Sequence, residues 1–209
     1  MKKVFERFSG SDPLIVAHAA NIERETAVEA DFLRLTIDDA SNVKIMPKET
    51  LDGQNLSLED IFAAYPDKCF NFDLIGKFVA VPFCSIIKNA NISERILISS
   101  PHGKNLKTAR KLLPAAATSF SAIELMWLYW LFRSGFLPLI KKFSADAIVP
   151  EFTDSSDMAN YSFISQISGK GIQVFMWNTG GDIRKPVDSG VRGFITSDYL
   201  NLRNVLDAL

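Results

Sequence analysis

Two apolar runs, Ile172-Gln173-Val174-Phe175-Met176-Trp177 and Gly190-Val191-Arg192-Gly193-Phe194-Ile195-Thr196, are too short for buried helices and too continuous for strands with one wet face. β-Branched and aromatic side chains fill them and glycines bound them, so each reads as a strand buried on both faces. Between them, from Gly180-Gly181-Asp182 to Asp188-Ser189-Gly190, lies about one helix of chain. Two such strands a helix apart pair in parallel through a right-handed crossover. A sheet built from that unit must be covered on both sides, which restricts the chain to an α/β architecture.

The unit recurs upstream. Strand-like runs occupy 13–18, 32–37, 69–74, 95–99, 115–119 and 146–150, and the closing pair brings the set to eight. Helical patterns lie between them: 56–65 with Ser57 as cap, 82–89 opened by Pro82, 106–113 stopped by Pro114, and 161–168. Only a short helix fits at 25–29, and a turn at 38–42 leads into a short strand at 43–46. No repeat or low-complexity linker interrupts the series. The expected architecture is therefore an α/β (β/α)8 TIM barrel, one domain over residues 1–209, compact and with a shortened first helix.

Composition narrows the function classes. With 23 basic and 24 acidic residues the net charge is −1, which gives no bulk electrostatic reason to bind nucleic acid or an anionic surface. Cys69 and Cys84 lie within apolar runs and read as buried thiols, and two histidines cannot help build a Cys/His zinc cluster. Glu6 and Arg7 interrupt the first apolar residues, so no secretory leader is expected and a cytoplasmic location is. In segment 120–140, from Phe120 to Ile140, Glu124 and Arg133 bracket only about eight uncharged residues, too few for a transmembrane segment.

In a parallel barrel the working face is formed by the carboxyl ends of the strands. His18 ends the first strand there. In the second, alternation sets Arg34 and Thr36 on one side, and in the third Asn71 and Asp73 share a face. The Ser100-Pro101-His102-Gly103 loop reaches the same end after the fourth strand.

Several stretches resemble the glycerophosphodiester phosphodiesterase family. They are Arg95-Ile96-Leu97-Ile98-Ser99-Ser100 with 106–114, Ala145-Asp146-Ala147-Ile148-Val149-Pro150-Glu151, Trp177-Asn178-Thr179, and the run from Gly190 to Thr196. The resemblance extends over about 13–206 and implies a phosphoric diester hydrolase barrel of glycerophospholipid metabolism. Such an enzyme is understood to use two histidines as acid and base and three carboxylates to hold a divalent cation such as Mg²⁺ or Ca²⁺. The cation offsets charge developing on the phosphoryl oxygens while the histidines move protons.

At those positions the chain departs from the family. The His-Arg-Gly end of the family's first strand is His18-Ala19-Ala20, without the arginine. The metal-binding Glu-Leu-Asp is Arg34-Leu35-Thr36, the His-Asp-Glu-Thr-Leu is Pro47-Lys48-Glu49-Thr50-Leu51, and the Asn-Ile-Glu-Ile-Lys is Asn71-Phe72-Asp73-Leu74-Ile75. One shortened carboxylate remains, beside an arginine, so the resemblance implies no metal site; Asp38, Asp39 and Glu49 read first as turn acids.

Three functional readings follow. In the first the chain is a pseudoenzyme binding a phosphorylated small molecule through Arg34, Lys48 and His18, with Asp73 and Trp177 in the pocket. The second is an active phosphodiesterase with a rearranged site, in which His18 and His102 share acid and base work. The third is an interaction scaffold whose segment 120–140 self-associates or meets a lipid interface. Plainer readings stand beside them: Arg34 and Asp73 as an interior ion pair, His18 as a hydrogen-bonded strand end, His102 as a solvated loop residue, Trp177 as pocket wall, and 120–140 as a helix packed on the barrel.

Overall fold

The computed structural model describes residues 2–8, 12–18, 29–38, 56–149, 160–177 and 183–209, with His18 as backbone only. The expected helix at 25–29, except its last residue, and the expected strand at 43–46 lie outside the described residues.

Eight strands form one parallel sheet: β1 (Leu14–His18), β2 (Phe32–Ile37), β3 (Cys69–Leu74), β4 (Ile96–Ser99), β5 (Ala117–Thr118), β6 (Ala147–Ile148), β7 (Gln173–Trp177) and β8 (Gly193–Thr196). Their order is β5-β4-β3-β2-β1-β8-β7-β6. The two outer strands meet through a parallel bridge between Ser119 and Ala147, where Phe120 N donates to Ala147 O at 2.9 Å and Asp146 N to Thr118 O at 2.9 Å. The sheet closes into the α/β TIM barrel that the strand series implies.

Eight helices belong to the described residues: α1 (Lys3–Glu6), α2 (Leu58–Ala64), α3 (Ala80–Asn89), α4 (Gly103–Leu112), α5 (Ala122–Arg133), α6 (Tyr161–Ser168), α7 (Arg184–Asp188) and α8 (Tyr199–Asp207). Several start where sequence alone does not place them. Pro82 sits in the first turn of α3, two residues inside it, because the first-turn amides lack intrahelical acceptors and a missing N–H costs nothing there. α4 begins at Gly103, three residues before its first apolar residue, with His102 as N-cap. Ser57 caps α2 as expected: its hydroxyl accepts from Asp60 N at 3.3 Å and the Asp60 carboxylate accepts from Ser57 N at 3.1 Å.

Alternation sorts the strand residues into two cores. The outward set, including Leu33, Leu35, Phe70, Phe72, Ile98 and Val174, packs under the helices. The inward set holds Leu14, Val16, Phe32, Cys69, Leu97, Ala117, Ala147, Phe175 and Ile195, and α1 adds Val4 and Phe5 from the amino end. Phe5 and Phe32 both lie 6.1 Å from Phe175, centroid to centroid, and Phe8 lies 5.2 Å from Phe32. Gly193 makes room for this cluster, since a Cβ there would come within 2.8 Å of the Phe175 ring. The amino half of the barrel is thus a dry plug, and only the carboxyl half is open to polar chemistry.

Both cysteines are free and buried, as expected. Burial pushes the Cys84 thiol up to about 12 and raises Cys69, the latter against the opposing pull of Arg7 and Arg95.

Arg110 fastens α4 to α5 and to the end of β5. It donates to Glu124 Oε1 at 2.8 Å, Thr118 Oγ1 at 3.0 Å and Ser119 O at 2.9 Å. Burial by itself would raise the Glu124 carboxyl. Hydrogen bonds from Arg110 and from the Ser121 amide and hydroxyl, with the Arg110 charge, outweigh it and hold the group down at about 2. A folded value below the ordinary 4.5 means that this contact contributes stability above pH 4.5 and loses it as pH falls toward 2. We expect Glu124→Gln to be less stable than wild type at neutral pH, with the gap narrowing as urea melts are taken from pH 4.5 down to 2. A gap that stays constant across that window would refute the assignment.

Candidate functional site

The interior changes character one layer above the phenylalanine plug. In the parallel register Arg34 stands opposite Asn71, Thr36 opposite Asp73, and Asp73 opposite Ser99. Strand alternation points all five into the barrel, so a polar stratum sits on the apolar one.

Arg34 is its centre. The residue is only 3% exposed; Nη1 donates to Asn71 Oδ1 at 2.6 Å and Nη2 to Asp73 Oδ2 at 2.8 Å. Its guanidinium carbon lies 5.3 Å from the Trp177 ring centroid, within cation–π range. Asn71 extends the network, its amide donating to Leu97 O and to Ser99 Oγ, each at 3.2 Å. Ser99 in turn donates to Phe72 O at 3.4 Å. A guanidinium this deep needs such partners, because an uncompensated buried charge costs several kcal/mol.

A cavity of about 510 Å³ opens over this stratum, with Arg34, Asp73, Ser99 and Ser119 on its polar side and Phe120, Leu125 and Met126 on its apolar side. It lies at the carboxyl end of the strands, where the sequence predicts the working face.

The expected residues distribute as follows. Arg34 and Asp73 meet as an ion pair, with Asp73 13% exposed on its cavity side. Trp177 forms a wall under Arg34. His102 is partly buried; its Nε2 is 3.0 Å from Ile75 O and its amide donates to Ser100 Oγ at 3.1 Å. That ring ties the β4–α4 loop to the end of β3 instead of lining the cavity. Asp38 is exposed at the end of β2. Lys48, with Pro47, Asp39 and Glu49, and the His18 side chain lie outside the described residues; the His18 backbone stands opposite Arg34. Asn71 and Ser99 are the residues that sequence reasoning did not assign to the network. That Asn71 shares a face with Asp73 is legible from alternation, but the neighbour that each residue faces depends on the strand register.

The described residues do not suit a hard divalent cation. Mg²⁺ or Ca²⁺ needs several oxygen ligands with excess negative charge. Here one carboxylate is bonded to a guanidinium standing in the same stratum, and among the described residues no three His, Cys, Asp or Glu side chains converge. Positive charge at the mouth is covalently built in.

No protein-family model and no curated protein matches the chain in sequence. In three dimensions it is similar to the glycerophosphoryl diester phosphodiesterase domain of a Mycobacterium tuberculosis protein, with TM-score 0.71 and 14% identity over 92% of this chain and 98% of that one. A glycerophosphodiester phosphodiesterase from Parabacteroides distasonis aligns with TM-score 0.68 and 13% identity over 95% of this chain and 99% of that one. One from Agrobacterium tumefaciens aligns with TM-score 0.66 and 11% identity, over 93% and 99%. Likeness at such identities is a likeness of fold, and the chemistry has to be read from the side chains.

The network makes a stability prediction. Arg34→Met leaves Asp73 and Asn71 facing an apolar chain and is expected to cost about 3–5 kcal/mol in urea denaturation. Arg34→Met with Asp73→Leu is expected to recover most of that loss, since the apolar pair leaves no charge stranded. Additive losses would show that the two side chains act independently.

Proposed function

We propose that this chain is a glycerophosphodiester phosphodiesterase-like barrel in which an arginine has replaced the metal centre, and that it binds a phosphorylated polyol there without metal-dependent hydrolysis. The observation that carries the reading is Arg34, buried at the carboxyl mouth and hydrogen-bonded to Asn71 and Asp73. By sequence resemblance these are the strands on which related enzymes carry their metal carboxylates.

The cavity chemistry supports that ligand class. A phosphate oxygen is complementary to the guanidinium, and the hydroxyls of a polyol are complementary to the Asp73 carboxylate and to the seryl oxygens of Ser99 and Ser119. Phe120 and Leu125 supply apolar surface for the carbon skeleton, and Trp177 backs the Arg34 guanidinium. Glycerol 3-phosphate and glycerophosphodiesters have this combination of groups. In the same reading Lys48 and His18 add further positive charge and donors at the rim.

The residues that would do acid and base work argue against turnover by the related enzymes' route. Proline at position 47 has no titratable group, and the His102 ring is engaged with Ile75 O. The protein is therefore read as a pseudoenzyme. Isothermal titration with glycerol 3-phosphate and glycerophosphocholine is expected to give saturable heat that is unaffected by a chelator. Asp73→Asn, which keeps the side-chain shape and removes the carboxylate charge, is expected to alter the preference between the two ligands. Absence of heat with both ligands would remove the binding claim. Chelator-sensitive turnover of a chromogenic phosphodiester, lost in His18→Ala, would replace it with the active-enzyme reading.

A further inference from the structure

Helix α5 is apolar on two sides, and only one is used by the fold. Leu125 and Leu128 face the barrel, while Ile123, Met126, Trp127 and Trp130 face outward with exposures of 70, 64, 60 and 54%. Their spacing of i, i+3, i+4 and i+7 makes a single stripe. It lines a shallow groove of about 360 Å³, with the two indoles edge to face at 5.5 Å.

The neighbouring helix supplies charge. Lys104, Lys107 and Lys111 of α4 are exposed and share one face at i, i+3 and i+7, and α4 contains no acidic residue. The one acid on α5, Glu124, is held by Arg110 of α4, a contact that also fixes the two helices side by side. A net charge of −1 for the whole chain thus conceals a basic face on the helix that neighbours the aromatic one.

We propose that α4 and α5 together dock the protein on the surface of an anionic lipid layer, beside the barrel mouth. Tryptophan suits the boundary between head groups and acyl chains, because its ring is apolar and its N–H polar. Lysines beside it gain from an anionic head-group region, and the pairing of an apolar stripe with basic flanks is the signature of helices that lie in an interface without crossing it. Among the described residues no helix is long and apolar enough to cross a membrane. A second copy of the chain fits less well. Even with Phe136 and Leu139, exposed in the turn after α5, the apolar set is a small part of the roughly 20–30 residues a side that a stable dimer engages. Met126 lines both the groove and the cavity, so the docked surface runs without a break to the mouth. The proposal does not depend on what the cavity binds.

Vesicle flotation of the full chain tests it, using phosphatidylcholine alone and phosphatidylcholine mixed with phosphatidylglycerol. Wild type is expected to float with the mixed vesicles, less so at high salt, with a blue shift of tryptophan emission. Trp127→Ser with Trp130→Ser is expected to remain unbound while keeping the wild-type circular dichroism spectrum. Lys104→Glu, Lys107→Glu and Lys111→Glu together are expected to weaken binding to the anionic vesicles about a hundredfold. The proposal fails if wild type does not float with the mixed vesicles, or if both variants float as well as it does. It fails equally if light scattering shows a wild-type dimer that the serine substitutions dissociate, which would assign the stripe to a second copy.

Discussion

A full positive charge inside a barrel whose lower half is packed with phenylalanine is the constraint around which the upper half is arranged. Arg34 cannot be left to low-dielectric surroundings, and the structure answers with one carboxylate, one carboxamide and one indole face. Each partner is drawn from a different requirement of the fold. Asn71 comes from the register, Asp73 from the next inward position on the same strand, and Trp177 from the far side of the barrel through β7. The polar stratum is thereby internally hydrogen-bonded, and it faces the end of the interior opposite α1.

That division explains how one barrel frame can carry different chemistries at its mouth. The outward core under the helices and the inward plug around Phe32 and Phe175 take no part in ligand chemistry, so they keep the barrel whatever occupies the stratum above. In the proposed reading, Arg34 and Thr36 put a cation fixed by a side chain where an exchangeable one would otherwise sit. A guanidinium in that place lacks the polarising power of a small divalent ion and, in the same reading, keeps attraction for an anion.

Much of the architecture was legible in the sequence, because strands buried on both faces and spaced by helices have few ways to be covered. Strand parity also put Arg34 with Thr36 on one face of β2 and Asn71 with Asp73 on one face of β3. What parity could not give is which residue faces which across strands, and the Arg34–Asn71 contact depends on that alone. Helix starts were less legible: α4 opens on Gly103-Lys104-Asn105, with no apolar residue and no side-chain cap to announce it. The two-residue strands β5 and β6 carry little signal of their own and are held by the bridge at Ser119 and by Asp146. For α5, apolar residues on every side identified a helix without telling which stripe would remain in water.

The way α1 fills the amino end bears on how the chain reaches this state. Phe5 packs against Phe175, and β1 pairs with β8, so the contacts that close the barrel join residues far apart in sequence. Until β7 and β8 are in place, Phe5 and Phe8 have no interior to enter, and the unclosed sheet exposes two open edges. Such long-range closure is slow compared with helix formation, and it leaves a sticky half-barrel in the meantime. The barrel is therefore a molecule with a seam to sew, and its solubility before closure rests on how quickly β8 finds β1.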